Sequence, residues 1–401
     1  MKKKVTFFLK QQAGWVVFGK RLLMSLIVLE LVACTMAPSS FNQPSPSEPP
    51  ALPTATAVVP TRLPTATETL VPTPQPSLTP VPTATTRPFD LDQFSTRLYS
   101  GVQPYHYVED TCQYLSNRWG EDKSSPDTVV VPIMYHSVRQ AGKEVLDNMS
   151  VTEEYFLFTM DYAKKLGFET ITSAELAGFL YRNEKIPPRS MILIIDDRRP
   201  GVARDNFMPV LEKYDWEVTL AYITGPAAPW EWMELDRMYK TGRIDVQAHG
   251  FMHQPDTYFT EFTEPEVIQA EVNGAIPLIT EHFGKPPVAF IWPGGNFTPP
   301  AIEAVHQAGY QLAFTAYGRG PLFYNWIPLG EQEAKMNDPL MVLPRYWSTS
   351  ATVNLDEAVA IQKKMTDFTE KNRAEEYRWY AAFCADYPPL INYFEEEFIN
   401  E

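Results

Sequence analysis

Residues 190–197 read SMILIIDD, six residues without charge followed by two carboxylates, Asp196 and Asp197. A half-buried strand alternates polar and apolar residues, and this run does not. It reads as a strand covered on both faces, of the kind found in parallel sheets. Working outward, TVVVPIMY over 128–135 has the same character. Shorter strands are expected over 168–171, 217–223, 244–248, 288–292, 312–316 and 341–343. Helical spacing fills the intervals at 152–166, 173–181, 202–214, 232–240, 264–283 and 300–308. Thr152 and Ser173 stand as N-caps, and Glu153 and Glu154 sit in a first turn. Repeated β-α units with apolar strands predict an α/β fold whose parallel sheet is covered by helices. Seven or eight such units favour a closed or nearly closed barrel over an open sheet, within residues 90–350. Residues 351–401 follow as a C-terminal helical extension that ends in Glu395, Glu396 and Glu397.

The chain has 401 residues, but the first part does not read as globular. Lys2, Lys3, Lys4, Lys10, Lys20 and Arg21 precede an apolar stretch over 22–33, which stops at Cys34. A basic start and a short apolar core mark an export signal. The stretch falls short of the ~20 apolar residues that a spanning helix needs. Leu31-Val32-Ala33-Cys34 resembles a bacterial lipobox, whose cysteine is acylated and becomes the new N-terminus; acyl chains there make a durable membrane anchor. The other reading is an ordinary secretory signal with an incidental cysteine. Loss of 1–33 would leave a chain more acidic still than its net charge of −15. That charge excludes nucleic acid as a partner and sits better with neutral or cationic glycans.

Residues 38–88 are mostly Pro, Thr, Ala and Ser, with Pro-Thr-Ala-Thr recurring at Pro53, Pro64 and Pro82. Such a segment cannot bury enough surface to offset backbone ordering, so 34–89 reads as a linker. It would reach ~150 Å if stiff and ~40 Å as a coil, enough to hold a domain away from a membrane. The two remaining cysteines, Cys112 and Cys384, either pair in an oxidising compartment or stay as separate buried thiols.

A barrel presents its chemistry at the C-terminal ends of its strands. Asp196 and Asp197 end the strand at 190, His249 ends the strand at 244, and Trp292-Pro293-Gly294-Gly295 ends the strand at 288. Three candidates from separate stretches thus share one face. His249 and His253 form a His-x-x-x-His pair without the glutamate of a zincin, since Gly250, Phe251 and Met252 intervene. With one carboxylate they make a two-His, one-carboxylate set that leaves positions open for water and substrate. The second Asp is then free to accept a proton. A glycosidase would want carboxylates ~5–10 Å apart across a groove, and adjacent Asp residues do not supply that.

Over 128–345 the chain resembles the NodB-like polysaccharide deacetylases, carbohydrate esterase family 4. The resemblance rests on PIMYH at 132–136, IDD at 195–197, His249 to His253, FIWPGG at 290–295, GYQLAFT at 309–315 and LPR at 343–345. It implies a distorted (β/α) barrel of about seven units and metal-dependent removal of N-acetyl groups from a polysaccharide such as an N-acetylglucosamine polymer. Asp196 would be the general base. Asp197, His249 and His253 would bind a divalent metal, zinc foremost, with cobalt or nickel as alternatives. Trp292, Pro293, Gly294 and Arg345 are the candidate substrate contacts, with a backbone N–H near Gly294 facing the oxyanion.

The chain departs from the family pattern in four places. Arg198 stands where a glycine follows the second Asp, and Pro200 with Gly201 are expected to rebuild that turn. Gly250 replaces a Ser or Thr. Ile291 replaces the Arg that orients the base, a charge that Arg198 or Arg199 is expected to supply. Arg345 replaces an acid His, which leaves His136 as the candidate acid or, equally, a core histidine at a strand end. These departures keep a second expectation open, a catalytically impaired relative that binds glycan. The oligomeric state has no signature in the sequence.

Overall fold

The computed structural model describes residues 101–145, 147–254 and 258–390, all within one compact unit, Thr79–Glu401. The leader at 1–33, Cys34, the linker at 34–89 and residues 391–401 lie outside the described residues. Eight parallel strands build the main sheet. They are β1 (Val129–Tyr135), β2 (Glu169–Thr170), β3 (Arg189–Ile195), β4 (Val218–Tyr222), β5 (Ile244–Ala248), β6 (Ala289–Ile291), β7 (Leu312–Phe314) and β8 (Tyr346–Trp347). Their order is β7-β6-β5-β4-β3-β1-β8, with β2 beside the start of β3. The two edges are brought toward each other by one segment. Leu343 bonds to Ala313 and Thr315 at β7, and three residues later Tyr346 and Trp347 pair with β1. The sheet therefore curls toward the barrel that the unit count predicts, in the distorted (β/α) form that the resemblance implies.

β1 and β3 form the centre, paired in register from Val129 with Arg189 to Tyr135 with Ile195. Every residue of β1 is buried, and so is every residue of β3 after Arg189. A proline inside a central strand usually breaks a ladder. Pro132 does not, because N–H groups alternate sides along a strand. Val129 donates toward the β3 side and Val130 to Leu322 O on the other. The N–H that Pro132 lacks would point with that of Val130, into the interval between the Leu322 bridge and the short β8.

The helices are α1 (Thr111–Trp119), α2 (Glu153–Lys165), α3 (Ser173–Arg182), α4 (Pro229–Tyr239), α5 (Pro265–Asn273), α6 (Ala275–Phe283), α7 (Pro299–Gln307) and α8 (Ala351–Phe383), besides a helical run over 200–214 containing a π turn, Ala203–Phe207. Thr152 caps α2 as its position implies. α3 is capped by Thr172 in a capping box with Glu175, one residue before the expected Ser173, whose own N–H donates to the buried Asp245. The single helix expected over 264–283 is divided into α5 and α6. Pro277 cannot donate to the carbonyl four residues back, at Asn273, so the ladder is interrupted there. The strand expected at 341–343 is a 3-10 turn, Pro339–Met341, and a single bridge from Leu343 to Phe314. Pro344 has no N–H to continue the ladder, and the last strand forms only after it.

α8 lies along the barrel as the expected helical extension. Among the described residues no helix is long and apolar enough to cross a membrane. α8 is tied to α1 by the Cys112–Cys384 disulfide, with Cα atoms 5.5 Å apart. Arg118 and Trp119 both donate to the Glu376 carboxylate, at 3.0 and 2.6 Å. The disulfide closes a separation of 272 residues, so it restricts the unfolded chain strongly. Replacing both cysteines by serine should lower stability by about 2–4 kcal/mol. Urea unfolding of the oxidised wild type and the double variant measures this, and equal midpoints would show that the crosslink contributes nothing.

Candidate metal centre

The site lies at the C-terminal ends of β1, β3 and β5, with the β6 end closing one side. Asp196 directly follows β3 and is still tied to the sheet, its N–H donating to Tyr135 O at 2.8 Å. The chain then turns at Asp197, whose φ is +71°. A left-handed residue is uncommon outside glycine, and Asp is one of the few side chains that tolerate it. The left-handed position of this turn is therefore taken by Asp197 itself. Pro200 opens the helical run at 200–214 and Gly201 has ordinary φ, so neither rebuilds the turn.

The two carboxylates face different surroundings. Asp196 is buried, and Arg345 Nη1 donates to its Oδ1 at 2.6 Å. Burial pushes the Asp196 carboxyl up, but Arg345, then His249 and His136, outweigh it and hold it at about 2. Arg345 is 1% exposed, and its Nε also donates to Thr315 O at 2.8 Å. It lies behind the carboxylate and cannot touch a glycan, so the expected substrate contact is corrected to a positioning role. It also answers the missing orienting charge. Arg198 instead pairs with Glu231 at 3.7 Å and donates to Pro226 O, while Arg199 grips Asp197. Neither holds Asp196, as expected of one of them. Arg345 fills that role from the far edge of the sheet.

Asp197, His249 and His253 each offer one ligand atom, and all three atoms lie within 4.8 Å of one another. His249 Nε2 is 3.8 Å from Asp197 Oδ1, and the two imidazole centroids are 4.3 Å apart. His249 Nδ1 bonds to Ile291 O at 2.9 Å, which puts the proton on Nδ1 and leaves the Nε2 lone pair aimed at the site. Burial also lowers the pKa of His249, which keeps it neutral. The set thus suits a divalent cation such as zinc in its donors, spacing and protonation. Arg199 holds the other oxygen of Asp197, Oδ2, at 2.9 and 3.1 Å and donates to Ser137 Oγ at 2.6 Å.

His136 ends β1 with its Nε2 3.7 Å from Asp196 Oδ2 and its ring stacked on Trp347 at 5.6 Å. Among the described residues its buried Nδ1 has no hydrogen-bond partner. Burial lowers its pKa against the pull of Asp196 and Asp197. Trp292, by contrast, is fully buried, edge-on to Phe259 and Phe290, with its indole N–H donating to Met341 O. It is a core residue and lines no groove, which corrects the substrate contact expected of it. Pro293 is buried beside Gly250, and Gly294 is exposed with φ +62°. The N–H of Gly295 closes the turn on Trp292 O.

Sequence reasoning passed over two residues that shape the site. Tyr258 lies against one side of Gly294, where an added Cβ would meet its ring at 2.8 Å, and meets His253 edge-on at 5.2 Å. Glu271, on α5, accepts from the N–H groups of Phe251, Met252 and His253. Neither belongs to a periodic pattern or a motif. The departure at Gly250 has a local cause: its φ is +75°, and a Cβ there would stand 2.6 Å from Glu271 Oε2.

Removing Arg345 would leave a buried carboxylate uncompensated. Arg345→Met should destabilise the fold by about 3–5 kcal/mol at neutral pH, with much of the loss recovered in the Arg345→Met/Asp196→Leu double variant. The folded carboxyl is depressed, so the pair's stabilisation is complete above about pH 4, the ordinary carboxyl range, and fades as pH falls toward 2. Urea unfolding at neutral and acid pH checks both; a gap between wild type and Arg345→Met that does not narrow in acid would contradict the assignment.

Residues 183–313 match the polysaccharide deacetylase family model. No curated protein matches the chain. Among solved structures, a Streptococcus pyogenes deacetylase in complex with acetate is 21% identical over 57% of this chain and 97% of its own, with a TM-score of 0.47. A polysaccharide deacetylase from Bacillus cereus is 18% identical over 58% and 69%, with a TM-score of 0.45. IcaB from Ammonifex degensii is 19% identical over 58% and 97%, also at 0.45. The stretch that carries Asp196, Asp197, His249 and His253 is thus similar to the polysaccharide deacetylases.

Proposed function

We propose that this protein is a metal-dependent N-deacetylase acting on an N-acetylated polysaccharide of the cell envelope or an exported one. The observation that carries the reading is the convergence of Asp197, His249 and His253 ligand atoms within 4.8 Å, beside a second carboxylate held by a buried arginine. The family match over 183–313 points to the substrate class. Asp197, His249 and His253 would hold the cation, zinc foremost. Bound there, it would supply Lewis acidity to the acetyl carbonyl and acidify water.

The chain's own residues do the rest. Asp196 stays ionised and accepts the proton of the attacking water, with Arg345 fixing its orientation. The water oxygen adds to the carbonyl carbon, the C–N bond breaks, and the amine leaves with a proton. Products are acetate and a free amino sugar. His136 would pass that proton; its position beside Asp196, with an Nδ1 that has no partner among the described residues, supports the role.

One observation favours the second reading, a glycan-binding relative with little turnover: Arg199 already occupies Oδ2 of Asp197. Metal analysis combined with acetate release from chitin oligomers, peptidoglycan and poly-N-acetylglucosamine separates the two. The catalytic reading expects bound metal and acetate from at least one polymer. Asp196→Asn should retain metal and lose about 10²–10⁴-fold in kcat, whereas Asp197→Ala should lose metal. Bound metal without acetate from any polymer would establish the second reading.

The leader and linker support an exported protein tethered by lipid on Cys34. The mature N-terminal peptide should then carry acyl groups on that cysteine by mass spectrometry. Cys34→Ser should release the protein from the membrane fraction; unchanged fractionation would reject the anchor.

A further inference from the structure

The loop that carries His253 is built around a single buried side chain. Gly250 and His253 both take left-handed conformations, φ +75° and +49°, and bracket Phe251 and Met252. This bend turns three consecutive N–H groups inward. Glu271 Oε2 accepts from Phe251 at 2.8 Å, Met252 at 3.1 Å and His253 at 3.2 Å, and Oε1 accepts from Met252 at 2.9 Å. Converging backbone N–H groups make a ready anion site, and here the anion belongs to the protein. Glu271 is 1% exposed, so these contacts replace its water.

Glu271 is itself held rigidly. Its helix, α5, buries Ile268 and Val272 in the core, and Val272 O accepts from Tyr310 at 2.9 Å. Phe251, inside the bend, packs against Gly274, where an added Cβ would meet its ring at 2.6 Å. Gly250 is required twice over, by its φ and by its 2.6 Å clearance from Glu271 Oε2. Glycine, carboxylate and bend therefore form one unit. Its product is the position of the His253 imidazole, 4.3 Å from that of His249. His249 needs no such device, because it ends β5 and is fixed by Ile291 O.

We infer that Glu271 is a positioning residue for the metal centre: it touches neither cation nor substrate, and sets the placement of His253 through the backbone it holds. The inference rests on the metal-dependent reading above. An outer residue that orients a ligand in this way is worth on the order of 10–100-fold in metal affinity.

Two conservative variants separate position from charge. Glu271→Asp keeps the charge but is one methylene short of the bend. Glu271→Gln loses the charge but keeps an acceptor oxygen of the right reach. Both are titrated with Co2+ alone, without substrate, following the visible d–d absorption, with thermal unfolding in chelator as the check on folding. The expected result is at least 10-fold weaker cobalt binding and an altered spectrum for Glu271→Asp, with Glu271→Gln within about threefold of wild type and spectrally unchanged. Wild-type behaviour of Glu271→Asp, or equal losses in both variants, would overturn the positioning role. A wild type that binds no cobalt would overturn the metal reading itself, a failure distinguishable from the first two.

Discussion

Neighbouring residues on a strand point to opposite faces, so two adjacent aspartates can serve one site only if the strand ends between them. It does so here. Asp196 is the last residue bonded in the sheet, and Asp197 leaves it at φ +71°. That turn divides the pair into a buried carboxylate against Arg345 and a half-exposed one facing His249 and His253. The β1–β3 pairing that carries the turn is the longest register in the sheet, and all of it except Arg189 is buried. The rest of the site is arranged around it.

Charge compensation at the site is distributed over distant parts of the chain. Arg345 lies 149 residues from Asp196 and belongs to the segment that links the two edges of the sheet. Curling of the barrel therefore supplies the cation that faces Asp196: if the segment 343–347 were displaced, the buried carboxylate would lose its partner. The same segment brings Trp347 over His136. Arg199 has the opposite character. It is local, two residues from Asp197, and it competes for an oxygen of a metal-ligand candidate.

Much of this was legible in the residues. The apolar runs at 128–135 and 190–195 mark the central strands because a strand covered on both faces has no polar alternation. His249 and His253 were legible from spacing at a strand end. The misreadings have physical causes. Trp292 stands at a strand end beside Pro-Gly-Gly, a position that suits a binding loop, but its ring is turned inward and its N–H satisfied by Met341 O. Arg345 stands where the resemblance has an acid His and so reads as a substrate contact, but it is buried behind Asp196. The division at Gly274 turns on a hydrogen bond that Pro277 cannot make, which a purely apolar pattern does not register.

Local sequence determined the strands up to β7, the carboxylate pair, the histidine spacing and the two cysteines, because each depends on residues close together in the chain. The structure alone decided which cation faces Asp196, that Glu271 holds the His253 bend, that Tyr258 lies against Gly294, and that Cys112 meets Cys384. These are contacts across separations of up to 272 residues. Their partners are selected by how the sheet curls and where helices land, and no periodicity or spacing within a short window carries that information.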